Sequence, residues 1–182
     1  MGLYRARDLV RVPGLFSLSR IPLAATFPLV LGHPLGALGV LAAAGLSDVL
    51  DGWLARRWGQ VTPTGAALDP VTDKVFVTTV AASLVVGGYL SILDVVLLST
   101  REIGEIPLVV WLAVNRDARS RRADHPKANL PGKLATALQF GVATAALFRM
   151  PHLAWVIDAT AGVGLLAAAS YWAREIRTTA GG

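Results

Sequence analysis

The 182-residue sequence contains no cysteine, and only 16% of its residues are charged. Without cysteine, disulfides, thiolate metal sites and cysteine nucleophiles are all excluded. A soluble domain usually carries about 25% charged residues, whereas 54% of this chain is hydrophobic. We therefore predict an integral membrane protein rather than a disordered chain or an ordinary soluble enzyme. The net charge of +5 indicates positive cytoplasmic loops more than nucleic-acid binding, so we expect no nucleic-acid partner.

Long apolar runs fill most of the chain. Because about 20 mostly apolar residues span a bilayer as a helix, we predict six transmembrane helices, near residues 14–32, 35–57, 66–88, 91–114, 132–149 and 152–173. The predicted fold class is all-α, with a single membrane domain over residues 1–182. It consists of a six-helix bundle over residues 14–173 and a tail over residues 174–182. Arg20 interrupts the first run and no clear cleavage site follows, so we expect a retained helix rather than a signal peptide.

Basic residues mark one side of the predicted membrane. Residues 1–12 are amphipathic, and their arginines suit lipid headgroups, so we expect a juxtamembrane surface helix there; a frayed tail is the alternative. Further basic residues follow the second, fourth and sixth spans, whereas the other three connections hold no Lys or Arg. The positive-inside rule then places both termini in the cytoplasm. We expect the protein in the cytoplasmic (inner) membrane, with its active site facing the cytoplasm.

Four aspartates lie in or beside the second and third predicted spans: Asp48, Asp51, Asp69 and Asp73. Carboxylates inside a membrane are costly and are functional candidates by default. Spacings of three and four residues put each pair on one helix face. The short connection between the two helices predicts an antiparallel hairpin in which the pairs converge. Clustered carboxylate oxygens suit hard cations such as Mg²⁺ or Mn²⁺, and two such ions about 4 Å apart suit phosphoryl chemistry.

Two other interpretations of the aspartates are available. In the first, the aspartates only cap helix ends beside headgroup water. This interpretation accounts for a single aspartate more readily than for four at paired spacings. A cation conduit or transporter needs acidic residues spread along a pathway, whereas these lie at one end of the spans. Small residues near the cluster leave room for a bulky polar ligand such as a nucleotide, although helix–helix packing also favours small residues.

Written out, the acidic segment reads Asp48-x-x-Asp51-Gly52-x-x-Ala55-Arg56, then eight residues, then Gly65-x-x-x-Asp69-x-x-x-Asp73. This segment resembles the signature of the CDP-alcohol phosphotransferase family, also called CDP-alcohol phosphatidyltransferases, at every fixed position. The family transfers a phosphatidyl or phosphoalcohol group from a CDP-linked donor to an alcohol and releases CMP. The resemblance implies the same activity here. It also implies a homodimer, because family members are commonly dimeric.

The resemblance further implies roles for individual residues. Asp48, Asp51 and Asp69 would hold two divalent cations, and Asp73 would complete the metal cluster and act as the general base. Gly52 would let the nucleotide approach the helix. The residues implied to bind the CDP moiety are Asp48, Gly52, Ala55, Arg56, Thr62 and Gly65.

Other segments resemble bacterial phosphatidylglycerophosphate synthases and CMP-forming cardiolipin synthases. They are Val12–Arg20, Leu68–Lys74, Arg101-Glu102 and Gly132-Lys133-x-x-Thr136-x-x-Gln139. In the family the first of these segments approaches the lipid-linked donor. This implies contacts with the donor lipid or its pyrophosphate for Pro13, Gly14, Ser17 and Arg20.

A glycerol 3-phosphate acceptor would require a basic pocket. The candidate residues for it are Arg101, Lys133, Arg116 and Arg119. Each candidate has a plainer interpretation. Arg101 could pair with Glu102 or Glu105, Lys133 could snorkel to the interface, and the loop from Arg116 could face lipid headgroups.

We therefore expect a six-span membrane enzyme that uses CDP-diacylglycerol, Mg²⁺ or Mn²⁺, and an alcohol acceptor. Glycerol 3-phosphate is the first choice of acceptor, giving phosphatidylglycerophosphate and CMP. A cardiolipin synthase acting on phosphatidylglycerol, or an inositol-phosphate transferase, is the alternative within the family. A non-catalytic membrane protein or a divalent-cation transporter is the alternative from a different class.

Overall fold

The computed structural model describes residues 12–57, 63–114 and 130–180, and these residues form seven α-helices and no strand. The helices are α1 (Val12–Val30), α2 (Pro34–Arg57), α3 (Pro63–Val86), α4 (Ile92–Leu98), α5 (Thr100–Val114), α6 (Leu130–Leu147) and α7 (Leu153–Ala180). The all-α prediction is therefore confirmed. The surface helix predicted for residues 1–12 lies outside the described residues, apart from Val12, where α1 begins.

Prolines mark where two of these helices begin. Pro34 is the first residue of α2 and Pro63 is the first residue of α3. The fixed φ of proline suits the first helical position, where its missing N–H would have no partner in the helix. Proline also occurs inside α1, α3 and α5, as membrane helices tolerate when neighbouring groups satisfy the freed backbone carbonyls.

The fourth predicted span is divided into two helices at Ser99. The Ser99 hydroxyl donates to the Val95 carbonyl (2.8 Å), and the backbone of Ser99 (φ −88°, ψ 9°) ends α4. At the other end of α4, Ser91 and Asp94 form a capping box: the Ser91 hydroxyl accepts from the Asp94 N–H, and the Asp94 carboxylate accepts from the Ser91 N–H. Asp94 therefore has a structural role, because it satisfies a backbone donor at a helix start.

The chain divides into two compact units, Met1–Tyr89 and Leu90–Gly182. In the first unit α1 packs against both α2 and α3. A three-residue turn joins α1 to α2, and its His33 N–H donates to the Val30 carbonyl (2.9 Å). Two long helices that contact each other across so short a turn form an antiparallel hairpin.

The end of α3 lies beside the turn between α1 and α2. The Tyr89 hydroxyl donates to the Leu31 carbonyl (3.2 Å), and a Cβ added to Gly87 would lie 2.6 Å from Leu31 Cδ2. Consequently α1 and α3 run in the same direction and α2 runs in the opposite direction. This arrangement brings the beginning of α1, the end of α2 and the beginning of α3 to one end of the unit.

In the second unit α7 packs against α4, α5 and α6. The contact between α5 and α7 is close because small residues line it. A Cβ added to Gly104 would lie 2.7 Å from Ala168 Cβ, and one added to Gly164 would lie 2.6 Å from Thr100 Oγ1. Two side chains also donate to backbone carbonyls across this contact, Thr100 to Ala161 and Trp172 to Gly104. Small residues at close helix contacts are typical of membrane helix packing.

We expect Gly164→Ala to destabilise the second unit, whereas Gly162→Ala is not expected to do so. The added methyl at position 164 meets Thr100 Oγ1 and, at 3.3 Å, the Arg101 backbone nitrogen, while position 162 has nothing within 4 Å. Overpacking costs about 1–3 kcal/mol, whereas alanine in an open helical site is preferred over glycine by up to about 1 kcal/mol. Thermal unfolding in detergent measures both variants, and equal melting temperatures would contradict the close contact.

One of the described helices is long and apolar enough to cross a membrane by length and composition. It is the segment Leu153–Ala173 of α7, and 33% of its most apolar 18-residue stretch is buried. The apolar part of α2, Pro34–Leu50, is shorter because the polar acidic segment occupies the rest of that helix. The described residues therefore establish an all-helical fold with one helix that meets this membrane-span criterion.

Candidate active site

The acidic segment lies toward the end of the first unit that holds the beginning of α1, the end of α2 and the beginning of α3. At about 1.5 Å of rise per residue, Asp48 lies about 21 Å from the start of α2, and Asp73 lies about 20 Å before the end of α3. Because the start of α2 and the end of α3 are neighbours, these two aspartates lie at the same level along the unit. Both side chains are exposed, so both carboxylates are accessible to a polar ligand.

Asp48 forms an ion pair with Arg20 of α1, 28 residues earlier in the chain. Arg20 Nη2 donates to Asp48 Oδ1 over 2.6 Å. The Arg20 side chain is only 2% exposed, whereas the Asp48 side chain is 67% exposed. Immediately beside this pair, the hydroxyls of Ser19 and Ser47 lie 3.4 Å apart and link the same two helices. The buried member of the pair therefore belongs to α1, and the accessible member belongs to the acidic segment.

Several predicted site residues are described in backbone only. Asp51, Gly52, Ala55 and Arg56 belong to α2, Gly65 and Asp69 belong to α3, and Pro13 and Gly14 belong to α1. The side chains of these residues lie outside the described part of the structure. Thr62 lies outside it entirely, backbone included. Among the side chains that are described, no three acidic or histidine residues form a metal-binding group. Asp48 and Asp73 are exposed carboxylates, and carboxylate oxygens are the donor type that hard cations prefer.

The predicted donor-lipid residues have a different setting from the aspartates. Ser17 and Arg20 are both buried, at 1% residue exposure each. The structure pairs Arg20 with Asp48, and the predicted contact of Arg20 with the donor lipid or pyrophosphate stays a prediction. Thr72, between the two aspartates of α3, is also buried at 1%. Buried polar side chains therefore occur on α1 and α3, the helices that carry Arg20 and Asp73.

A second polar cluster lies in the other unit and joins α5 to α6. Arg101 Nε donates to Glu105 Oε1 over 3.0 Å. Arg101 Nη1 donates to Thr136 Oγ1 (2.8 Å) and to the Gly132 carbonyl (3.2 Å). The plainer interpretation of Arg101, an ion pair with a neighbouring glutamate, is therefore present in the structure. Its role toward an acceptor phosphate stays a prediction.

Gln139 extends this cluster along the same two helices. Its side-chain amide donates to the Leu98 carbonyl (2.8 Å) and approaches both carboxylate oxygens of Glu102 at 3.3 Å. Two segments that resembled the same enzymes in the sequence, at Arg101-Glu102 and at Gly132–Gln139, are thus hydrogen-bonded to each other. Lys133 is exposed, whereas Arg116 and Arg119 lie outside the described residues.

A family model matches residues 10–172 of the chain, which is nearly its whole length, and its description is CDP-alcohol phosphatidyltransferase. The chain belongs to the CDP-alcohol phosphatidyltransferase family. The resemblance found in the acidic segment is therefore confirmed.

Individual relatives within the family differ in their acceptor. A CMP-forming cardiolipin synthase of Rattus norvegicus is 46% identical over 76 residues, covering 40% of this chain and 25% of the relative. A CMP-forming cardiolipin synthase of Streptomyces coelicolor is 36% identical over 100 residues, covering 55% and 44%. A CDP-diacylglycerol--glycerol-3-phosphate 3-phosphatidyltransferase of Escherichia coli K12 is 39% identical over 110 residues, covering 56% and 60%. The chain thus spans between a quarter and three fifths of these relatives' lengths.

The pairing of Arg20 with Asp48 in the structure was not predicted from the sequence. A signal for it exists in the sequence, because an arginine inside an apolar helix needs a carboxylate or carbonyl partner. The sequence offered several acidic candidates for that partner, however, and only the packing of α1 against α2 selects Asp48.

Proposed function

We propose that this family member is an enzyme that transfers a phosphatidyl group from CDP-diacylglycerol to an alcohol and releases CMP. The observation that carries the proposal is the pair of accessible aspartates at one level of the first unit, within a complete family signature. The proposed metal ligands are Asp48, Asp51, Asp69 and Asp73, and the proposed CDP-binding residues are Asp48, Gly52, Ala55, Arg56, Thr62 and Gly65.

The chemistry assigns distinct tasks to these residues. Two bound Mg²⁺ or Mn²⁺ ions would neutralise the donor diphosphate and stabilise the negative charge on the departing CMP. Asp73 is proposed to take the proton from the acceptor hydroxyl, since an alcohol is a poor nucleophile at neutral pH and general-base catalysis contributes about 10²–10⁴-fold. Gly52 has no side chain, which leaves space for the nucleotide beside α2.

We further propose the six-span topology, with both termini and the acidic segment on the cytoplasmic side and a surface helix over residues 1–12. Large apolar side chains exposed on several helices support contact with lipid, among them Leu29 (81%), Val86 (89%) and Trp155 (76%). Exposed apolar surface of this extent requires a membrane or a partner to cover it. An acyl-chain donor with a water-soluble cytidine head also suits a site at the membrane surface. We propose a homodimer as the assembly.

Glycerol 3-phosphate is proposed as the acceptor, with its phosphate recognised by Arg101, Lys133, Arg116 and Arg119. The Escherichia coli relative, aligned over 60% of its length, favours this choice. Phosphatidylglycerol is the second candidate, because CMP-forming cardiolipin synthases are also similar to this chain.

One experiment tests the reaction and selects the acceptor. The full-length protein, purified in detergent, is incubated with CDP-diacylglycerol, Mn²⁺ and one acceptor at a time: glycerol 3-phosphate, phosphatidylglycerol, inositol phosphate or no acceptor. We expect CMP and phosphatidylglycerophosphate with glycerol 3-phosphate, identified by mass spectrometry, and no product in the presence of EDTA. Cardiolipin from phosphatidylglycerol would select the second candidate. Absence of CMP with every acceptor, together with Mn²⁺ movement across vesicles, would overturn the proposal in favour of a transporter.

A further inference from the structure

Arg20 is a buried cation in a helix that contributes no residue to the family's acidic signature. Its side chain is 2% exposed, and its neighbours on the same helix, Ala24 and Phe27, are buried apolar residues. A buried charge is costly unless it is paired and hydrogen-bonded. The ion pair with Asp48 offsets this cost, and the pair joins α1 to the first aspartate of the signature.

The geometry of the pair orients the carboxylate and still leaves it accessible. Arg20 donates to Oδ1 of Asp48, and two thirds of the Asp48 side chain is exposed. Charge-assisted hydrogen bonds of this kind are short and directional. The carboxylate is therefore held in one orientation by a group behind it, while its exposed face is available to a ligand.

Helix α1 is well suited to carry such a group. It packs against both α2 and α3, the two helices that hold the aspartates. The neighbouring Ser19–Ser47 contact links α1 to α2 one residue before the ion pair on each helix. Ser17, one helical turn before Arg20, is also buried. The guanidinium therefore projects from a packed helix rather than from a mobile loop.

We propose that Arg20 is a positioning residue that orients the Asp48 carboxylate for a divalent cation. The inference rests on the proposed function, in which Asp48 is a metal ligand. It differs from the sequence-based expectation, which assigned Arg20 to the donor lipid. In this role the arginine does not touch the substrate; it acts through Asp48.

Positioning and simple charge balance predict opposite changes in metal affinity. A positive charge 2.6 Å from a metal ligand repels a cation, so removing it would strengthen metal binding if electrostatics alone mattered. Groups that orient a metal ligand have the opposite effect, and their loss costs about 10–100-fold in metal affinity or activity. The direction of the change in Mn²⁺ affinity therefore separates the two roles.

The experiment measures Mn²⁺ binding to the full-length protein in detergent by electron paramagnetic resonance, without substrate or turnover. The variants are Arg20→Gln, Arg20→Lys and the matched control Ser19→Ala, which alters the adjacent link between α1 and α2. We expect Arg20→Gln to weaken Mn²⁺ binding by about 10–100-fold. Arg20→Lys, which keeps the charge and one donor, is expected to lie between Arg20→Gln and the wild type. Ser19→Ala is expected to bind Mn²⁺ like the wild type, because Ser19 contacts Ser47 rather than the Asp48 carboxylate.

Turnover gives an independent measure of the same role. With a misoriented but intact ligand set, Arg20→Gln is expected to raise the Mn²⁺ concentration needed for half-maximal rate more than it lowers the rate at saturating Mn²⁺. A purely structural loss would lower the active fraction and leave the Mn²⁺ requirement unchanged. Gel filtration and thermal unfolding identify variants that do not fold. If Arg20→Gln does not fold, Arg20→Lys decides the question, and wild-type Mn²⁺ affinity in it overturns the proposal.

The outcomes also separate this inference from the proposed function. Equal or tighter Mn²⁺ binding in folded Arg20→Gln would overturn the positioning role while leaving the metal site intact. Wild-type protein that binds no Mn²⁺, or binds it equally after Asp48→Asn, would instead remove the metal site on which both proposals rest.

Discussion

Asp73→Asn is expected to lower turnover by about 10²–10⁴-fold, the usual contribution of a general base, while binding of CDP-diacylglycerol is largely preserved. The amide keeps the size and one oxygen of the carboxylate but cannot accept the proton of the acceptor hydroxyl. Asp73 is exposed at the level of Asp48, so the exchange replaces one polar side chain by another of nearly the same shape at the protein surface. Initial rates of CMP release and binding of the CDP-lipid to the same preparation measure the two effects separately.

The matched control for this prediction is Asp158→Asn. Asp158 is an exposed carboxylate on α7 in the other unit and has no part in the proposed site. This variant makes the same chemical change and is expected to retain turnover. Wild-type rates in Asp73→Asn would remove Asp73 from the role of base, and equal losses in both variants would show a general effect of removing acidic groups.

Asp48→Asn is expected to weaken Mn²⁺ binding by at least about 100-fold, because losing a ligand exceeds the 10–100-fold cost of losing its supporting groups. Turnover should fall with it and recover in part at high Mn²⁺. The asparagine side-chain oxygen can still accept a hydrogen bond from Arg20, so this variant is expected to fold. Metal titration by electron paramagnetic resonance, compared with the wild type in the same detergent, provides the measurement.

Asp48→Ala separates metal binding from the ion pair. It removes the ligand and also the acceptor of a hydrogen bond from the buried Arg20 Nη2. Leaving a buried donor without its acceptor costs about 1–3 kcal/mol, so Asp48→Ala is expected to unfold at a lower temperature than Asp48→Asn while binding Mn²⁺ equally poorly. Identical melting temperatures for the two variants would show that the ion pair contributes nothing measurable to stability.

The positions of the helices were well predicted because apolar run length is a local property of the sequence. The first predicted span, 14–32, corresponds to α1 at Val12–Val30, and the second, 35–57, corresponds to α2 at Pro34–Arg57. The break at Ser99 was not predicted. Serine is compatible with a helix interior, and its hydrogen bond to Val95 becomes visible only in three dimensions.

The acidic segment was predictable for a related reason. Three- and four-residue spacings place aspartates on one helix face whatever else the fold does, and the fixed positions of the signature lie within two neighbouring helices. Side-chain contacts between segments far apart in the chain could not be predicted in this way. Arg101 and Thr136 are 35 residues apart and hydrogen-bonded, yet nothing in their local sequence specifies that pairing.

The sequence by itself determined the helical character of the chain, the family and the candidate metal ligands, because each depends on composition or on spacing within one or two neighbouring helices. Only the tertiary structure decided that Asp48 is held by Arg20 and that Arg101 also bridges to Thr136 of α6. In each case several oppositely charged or polar partners were available along the chain. The selection among them follows from which helix faces pack together, and packing depends on the whole set of side chains in the interface.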